Sequence, residues 1–194
     1  MKLAPARIET FLRRPDPAMA GVLLYGPDRG LVRERADALS RVTAKDPDDP
    51  FRLCDVSMTM IKEDFARIAD EMASLSLIGG LRVVRLRDAT DAAAAALKNA
   101  FNMAPPGSLM IVEAGDLAKR SALRTLFETA ANAVAIPCYS DDEAGVRRIA
   151  ASMLSEAGLS LSDEAGAYLA TCLGGDRAMI RGEIEKLSLY MGGS

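Results

Sequence analysis

The sequence predicts an α/β protein: a five-stranded parallel sheet with helices on both faces, followed by a small three-helix unit. Three observations predict it. Five apolar runs, at 21–25, 51–56, 81–86, 109–113 and 133–137, alternate with stretches of helical periodicity. Short continuous apolar runs between helices of about 10–15 residues are the pattern of parallel strands buried on both faces. After Ser140 the strand pattern stops and only helical periodicity remains.

Each element has a local reason. Residues 6–13 form a short opening helix ahead of Pro15. Residues 30–43 place Leu31, Ala38, Leu39 and Val42 on one helix face. Residues 61–72 put Ile61, Phe65, Ile68, Ala69 and Met72 at the spacing of one continuous helix. Residues 91–103 are rich in alanine, the strongest intrinsic helix former. Residues 118–130 turn Leu123, Leu126 and Phe127 inward. Three helices follow at 141–157, 162–173 and 176–190. Each has a start signal: acids at Asp141, Asp142 and Glu143, then Ser162-Asp163-Glu164, then Asp176 after Gly174-Gly175. The domain boundary is expected between 139 and 140, giving an α/β domain at 1–139 and a helical domain at 140–194. A helical unit of that size is small to stand alone.

Composition excludes several classes of function. The 194 residues carry 24 basic and 27 acidic side chains. Residues 1–138 hold 19 basic and 18 acidic, and residues 139–194 hold 5 and 9. Strong phosphate binding needs clustered Lys and Arg, so tight DNA binding by this chain alone is not expected. There is no histidine, which removes His-based acid–base chemistry, Ser-His and Cys-His nucleophiles and most zinc sites. Cys54, Cys138 and Cys172 are widely spaced in apolar settings and read as buried thiols. No apolar run approaches the roughly 20 residues of a membrane span. No secretory leader pattern is present at the N-terminus, and the expected location is cytoplasmic.

The chemistry-bearing feature is the turn after the first apolar run. Leu23-Leu24-Tyr25-Gly26-Pro27-Asp28-Arg29-Gly30-Leu31-Val32-Arg33 has the layout of a phosphate loop: strand, glycine turn, helix. A working loop needs G-x-x-x-x-G-K-[ST]. Counted from Gly26, the second glycine falls on Leu31, the lysine on Val32 and the hydroxyl on Arg33. Gly26, Gly30 and Arg33 are thus remnants of a degenerate loop that lacks the cation and the Mg²⁺ ligand. A second position agrees. The acid that holds Mg²⁺ belongs at the end of the 109–113 run, where Glu113 stands, and Ala114 follows where a catalytic Glu would be. The expectation is no catalytic residue, no metal and no cofactor.

Two further stretches are candidates. Leu75-Ser76-Leu77-Ile78 ends a helix and leads into Gly79-Gly80. Leu77 and Ile78 are adjacent, so one regular helix face cannot bury both. They either pack under the loop or anchor in a partner's groove. Leu81-Arg82-Val83-Val84-Arg85-Leu86-Arg87 intersperses arginine among apolar residues and reads as a solvated strand end, with phosphate contact as the alternative.

Taken in order, these features resemble the delta subunit of the bacterial DNA polymerase III clamp loader. The resemblance rests on Leu24-Tyr25-Gly26 with its degenerate loop, Ser76-Leu77-Ile78-Gly79 before an Arg-bearing strand, and Ala104-Pro105-Pro106-Gly107 before 109–113. Gly174-Gly175-Asp176 and Glu183-Ile184-Glu185-Lys186-Leu187 complete it. It implies an AAA+ RecA-like domain at 1–139, a helical lid at 140–194, and a C-terminal collar that this stretch does not include, as in an N-terminal fragment. It also implies a subunit without intrinsic ATPase activity that works inside a nucleotidyltransferase holoenzyme. That subunit binds the sliding clamp (the beta subunit) and holds one ring interface open. It does so by inserting a hydrophobic pair, which maps to Leu77 and Ile78, flanked by Leu75 and Ser76. Many relatives carry an aromatic residue at the second position, so Ile78 keeps an apolar anchor but loses stacking area. Burying two such side chains contributes roughly 3–6 kcal/mol before ordering costs. Other loader subunits are implied partners, mainly through the collar, and primer-template DNA only within the whole loader. Two alternatives remain: an active AAA+ ATPase, and another inactive loader subunit, which usually carries a zinc module and a Ser-Arg-Cys motif that this chain lacks.

Overall fold

The computed structural model describes residues 1–44, 52–74 and 82–192. The elements run α1 (Pro5–Arg13), β1 (Gly21–Tyr25), α2 (Arg29–Ala44), β2 (Leu53–Val56), α3 (Met58–Glu63), α4 (Arg67–Ala73), β3 (Val83–Ala89), α5 (Ala94–Met103), β4 (Leu109–Ala114), α6 (Ala122–Thr129) and β5 (Ala133–Pro137). Three helices follow: α7 (Glu143–Glu156), α8 (Asp163–Leu173) and α9 (Arg177–Tyr190). The strands form one sheet in the order β2-β3-β4-β1-β5, and every pairing is parallel. The sequence-predicted α/β class with a five-stranded parallel sheet and a three-helix unit is therefore what the chain forms.

The chain divides into two compact units. One holds Met1–Gly26 and Val32–Pro137, the other Pro27–Leu31 and Cys138–Ser194. In the first unit β1, β4 and β5 are buried along their whole length, which explains their unbroken apolar sequences. Leu23, Tyr25, Val84, Leu86, Met110 and Val112 form a core with Ile68, Met72, Leu97, Leu123 and Phe127 from the helices. Each such side chain contributes about 1.5–3 kcal/mol by leaving water. Phe101 and Phe127 meet edge to face at 5.0 Å between centroids. Gly21 makes room for them, since a Cβ there would come within 2.5 Å of the Phe101 ring. Val22, Leu24, Val83, Ile111, Val134 and Ile136 point the other way and are equally buried. On that side α2 is tied to the sheet by Arg35 Nη1, which donates to Pro137 O at 2.8 Å.

The two edges of the sheet differ. Along β5, Lys2 bridges to Ala135, with Leu3 N–H donating to Ala135 O and Ala135 N–H donating to Met1 O. At the opposite edge β2 is only four residues long and carries an exposed Asp55, paired with Arg87 at 3.1 Å.

The helical unit has a core of its own: Val146, Ala150 and Leu154 from α7, Ala170 and Leu173 from α8, Ile180 and Ile184 from α9. Asp142, Ser162 and Asp176 cap the three N-termini, each accepting the N–H three residues on. Gly174, at φ 61°, ends α8 in a conformation that glycine adopts without strain.

Three expectations are corrected. Residues 61–72 are not one helix. Asp64 accepts the Ala66 N–H on its side chain at 3.0 Å and the Arg67 N–H on its carbonyl, a turn that breaks the helix and leaves Phe65 half exposed. The buried face of α2 runs through Val32, Ala36, Leu39 and Thr43, so Val42 lies outside it at 45% exposure. Cys138 is buried and Cys54 partly so, but Cys172 is exposed. Among the described residues, no helix is long and apolar enough to cross a membrane.

Candidate functional site

In an open parallel sheet, ligands bind at the carboxyl ends of neighbouring strands whose connections leave in opposite directions. Here those strands are β1, whose chain goes to β2, and β4, whose chain goes to β5. Gly26 and Gly115 follow them, and the Gly26 N–H donates to Gly115 O at 3.1 Å across that point. Gly26 has a φ of 153°, which a side chain would not tolerate comfortably.

Beyond Gly26 the loop carries its own anion. Asp28 is buried to 1% exposure. Its Oδ1 accepts the Leu31 N–H at 2.8 Å, capping the first turn of α2, and its Oδ2 accepts the Arg177 N–H at 3.3 Å, in the first turn of α9. Burial pushes the Asp28 carboxyl above its ordinary range, and the two N–H donors oppose that only in part. Gly30 lets the two helix starts approach, because a Cβ there would lie 2.6 Å from Ala178 N. Arg177 is fixed in turn by Asp141, with Nε donating to Oδ2 at 2.6 Å. Arg33, the remnant at the hydroxyl position, is exposed on α2.

The position of the metal-holding acid is also engaged. Glu113 on β4 is buried, and its Oε1 accepts from Arg85 Nε on β3. Arg85 Nη1 donates to Asp37 on α2 at 2.6 Å. Burial alone would lower the guanidinium pKa, but the hydrogen bonds and charges of Glu113 and Asp37 outweigh it and leave it raised. Arg85 Nη2 is buried with no hydrogen-bond partner. The solvated strand end expected for this arginine is therefore corrected: at 4% exposure Arg85 is an interior cation, because two carboxylates face it. Arg82 is paired with Glu71, and only Arg87 is substantially exposed.

The layout of a phosphate loop implies a nucleotide with Mg²⁺, and these residues do not fit one. The lysine and hydroxyl are replaced, a buried carboxylate already caps the loop, and a guanidinium already holds the acid. Among the described residues no cluster of His, Cys, Asp and Glu could hold a metal ion. Sequence reasoning found the degenerate loop and Glu113 but missed Asp28 and Arg85. An acid just before a helix and a lone Arg inside an apolar run were the available signals.

Leu75, Ser76, Leu77 and Ile78 lie outside the described residues. Their flanks are described. Ser74 ends α4, its hydroxyl donating to Asp70 O at 2.8 Å. Beyond the gap, Arg82 Nη2 donates to Glu71 Oε2 at 2.5 Å, and Ser108 Oγ donates to Met72 O at 3.2 Å.

Fold and loop together define the class: an α/β fold with a five-stranded parallel sheet, a three-helix unit and a degenerate phosphate loop. The particular likeness is to clamp-loader delta subunits. Over 75 residues the chain is 37% identical to a "Probable DNA polymerase III subunit delta" from Rickettsia prowazekii, a stretch covering 39% of this chain and 23% of that protein. The Bacillus subtilis DNA clamp loader delta protein (YqeN) superposes with a TM-score of 0.67 at 16% identity, over 96% of this chain and 57% of that one. Domain III of the Thermotoga maritima replication initiation protein DnaA superposes at 0.58 and 14% identity, over 97% and 85%. No protein-family profile matches the chain. The two structural likenesses speak to fold. The chain spans little more than half of the Bacillus structure, and its match spans under a quarter of the Rickettsia protein.

Proposed function

We propose that this chain is part of a delta-type subunit of the DNA polymerase III clamp loader. It binds the sliding clamp and opens its ring during DNA replication, without hydrolysing ATP. Residues 1–139 serve as the RecA-like body and 140–194 as the lid, in a cytoplasmic assembly with the other loader subunits. Primer-template DNA is met only by the whole loader. Leu77 and Ile78, flanked by Leu75 and Ser76, supply the apolar anchor for the clamp. One observation carries the reading: a curated relative that is 37% identical over 75 residues is a probable delta subunit. The loop geometry agrees with a subunit that does no nucleotide chemistry. Mechanically, apolar burial at the anchor biases a clamp interface poised between closed and open. An ATP-hydrolysing motor is the competing reading, and the replaced lysine and hydroxyl stand against it.

The test is capture of the chain on immobilised sliding clamp. Wild type is retained and the Leu77→Ala/Ile78→Ala double variant is lost, with both showing the same circular dichroism. Equal retention of the two sinks the anchor. ATP turnover by the isolated chain sinks the non-hydrolysing role.

A further inference from the structure

We infer that Asp28 is an internal anion standing in for a nucleotide phosphate: it joins the start of α2 to the start of α9, so that the loop is closed without a ligand. Three features separate it from an ordinary helix cap. First, a capping side chain serves its own helix, and Asp28 does so through Leu31 N–H, but its second oxygen goes to a helix that begins 149 residues later. Second, α9 already has its own cap, since Asp176 accepts the Met179 N–H at 2.9 Å. Arg177 N–H is a donor that this cap does not reach, and Asp28 takes it. Two helix N-termini, each a partial positive charge, thus converge on one carboxylate. Third, the approach is sterically prepared. Gly30 has no Cβ to strike Ala178, and Gly175 has none to strike the Asp141 carbonyl.

The consequence is exclusion. Backbone N–H groups at a helix start are the usual grip on a phosphate. Here the Leu31 and Arg177 donors are spent on a buried side chain. A phosphate is bulkier than a carboxylate, so it could enter only by displacing both Asp28 and the first turn of α9. The loop is thereby closed by a residue inside it, beyond the losses at Val32 and Arg33.

The experiment is amide hydrogen exchange, read residue by residue by NMR, on the whole chain. In wild type, the Leu31 and Arg177 amides are protected and neither ADP nor inorganic phosphate changes their rates. In Asp28→Ala both amides exchange faster, by about tenfold or more, the loss expected for hydrogen bonds to a charged acceptor. Formate, a carboxylate without a side chain, restores protection in this variant, and chloride at the same ionic strength does not. Unchanged protection in Asp28→Ala overturns the inference, as does failure of formate in a folded variant or slowing by ADP in wild type. Should Asp28→Ala not fold, Asp28→Asn decides. It keeps one acceptor oxygen for Leu31 and no charge, so Arg177 alone loses protection; equal protection of Arg177 in Asp28→Asn and wild type overturns the inference.

Discussion

Glu71 on α4 and Arg82 just ahead of β3 are ion-paired at 2.5 Å, with both side chains largely out of solvent. Arg67 adds a second cation to the same carboxylate at 2.9 Å. The pair joins the two sides of the stretch that carries Leu77 and Ile78 in sequence. It also sits beside Cys54, whose thiol is pushed up first by burial and then by the Glu71 charge.

Glu71→Gln removes that charge and leaves Arg82 partly buried without its counter-ion. The expected loss is about 1–3 kcal/mol, read from urea denaturation. A second readout separates the charge from the packing. With the Glu71 charge gone the Cys54 thiolate forms more easily, so Cys54 alkylates faster at fixed pH than in wild type. Slower alkylation in the folded variant would contradict the pairing.

The Arg85 cluster predicts an asymmetry. Glu113→Ala strands a buried guanidinium and is expected to cost about 3–5 kcal/mol. The double variant Arg85→Leu/Glu113→Leu removes both charges. It is expected to be more stable than Glu113→Ala, because Asp37 is solvent-accessible enough to be hydrated. Urea midpoints of the two variants decide the order, and a double variant weaker than the single one would refute it.

Two aspartates are expected to respond to acid in opposite directions. Asp28 has a raised carboxyl, with burial the largest cause, Asp176 adding to it, and the Leu31 and Arg177 N–H groups and the Arg177 charge opposing it. The native state then holds the proton to higher pH than the unfolded chain. Its contribution is fully present below the unfolded value and is lost as pH rises through the folded one. Asp91 has a lowered carboxyl, chiefly because the Ser121 hydroxyl and then the Leu123 N–H donate to it. Its contribution is present above the ordinary aspartate range and is lost as pH falls through the folded value. Stability compared with Asp28→Asn should therefore fall as pH rises from about 4, and stability compared with Asp91→Asn should rise. Parallel slopes for the two variants would be inconsistent with these environments.

Much of the fold was legible because it is local. β1 and β5 coincide with their apolar runs, since strands buried on both faces need continuous hydrophobicity. The starts of the last three helices were legible for the same reason, with Asp176 as a cap, although Asp142 and Ser162 are themselves caps and not first-turn residues. What escaped was either a turn competing with a helix, as at Asp64, or a pairing between distant residues. Arg85 looks like a surface residue until Asp37 and Glu113 are brought to it from 48 and 28 residues away. Asp28 stands just ahead of a helix, and nothing near it in sequence announces Arg177. Periodicity reports which side of an element is apolar, and it is blind to which charge will be buried opposite another.

The borders of the sheet have a bearing on how the protein behaves when concentrated. An open parallel sheet offers unpaired amides and carbonyls at each side, a template on which other chains can add. Along β5 that template is already occupied by residues Met1–Leu3. Along β2 it is reduced to four residues with a charged Asp55 in the middle. Both features are guards against strand-to-strand aggregation, so Asp55→Val is the change expected to turn a well-behaved solution into one that forms β-rich assemblies.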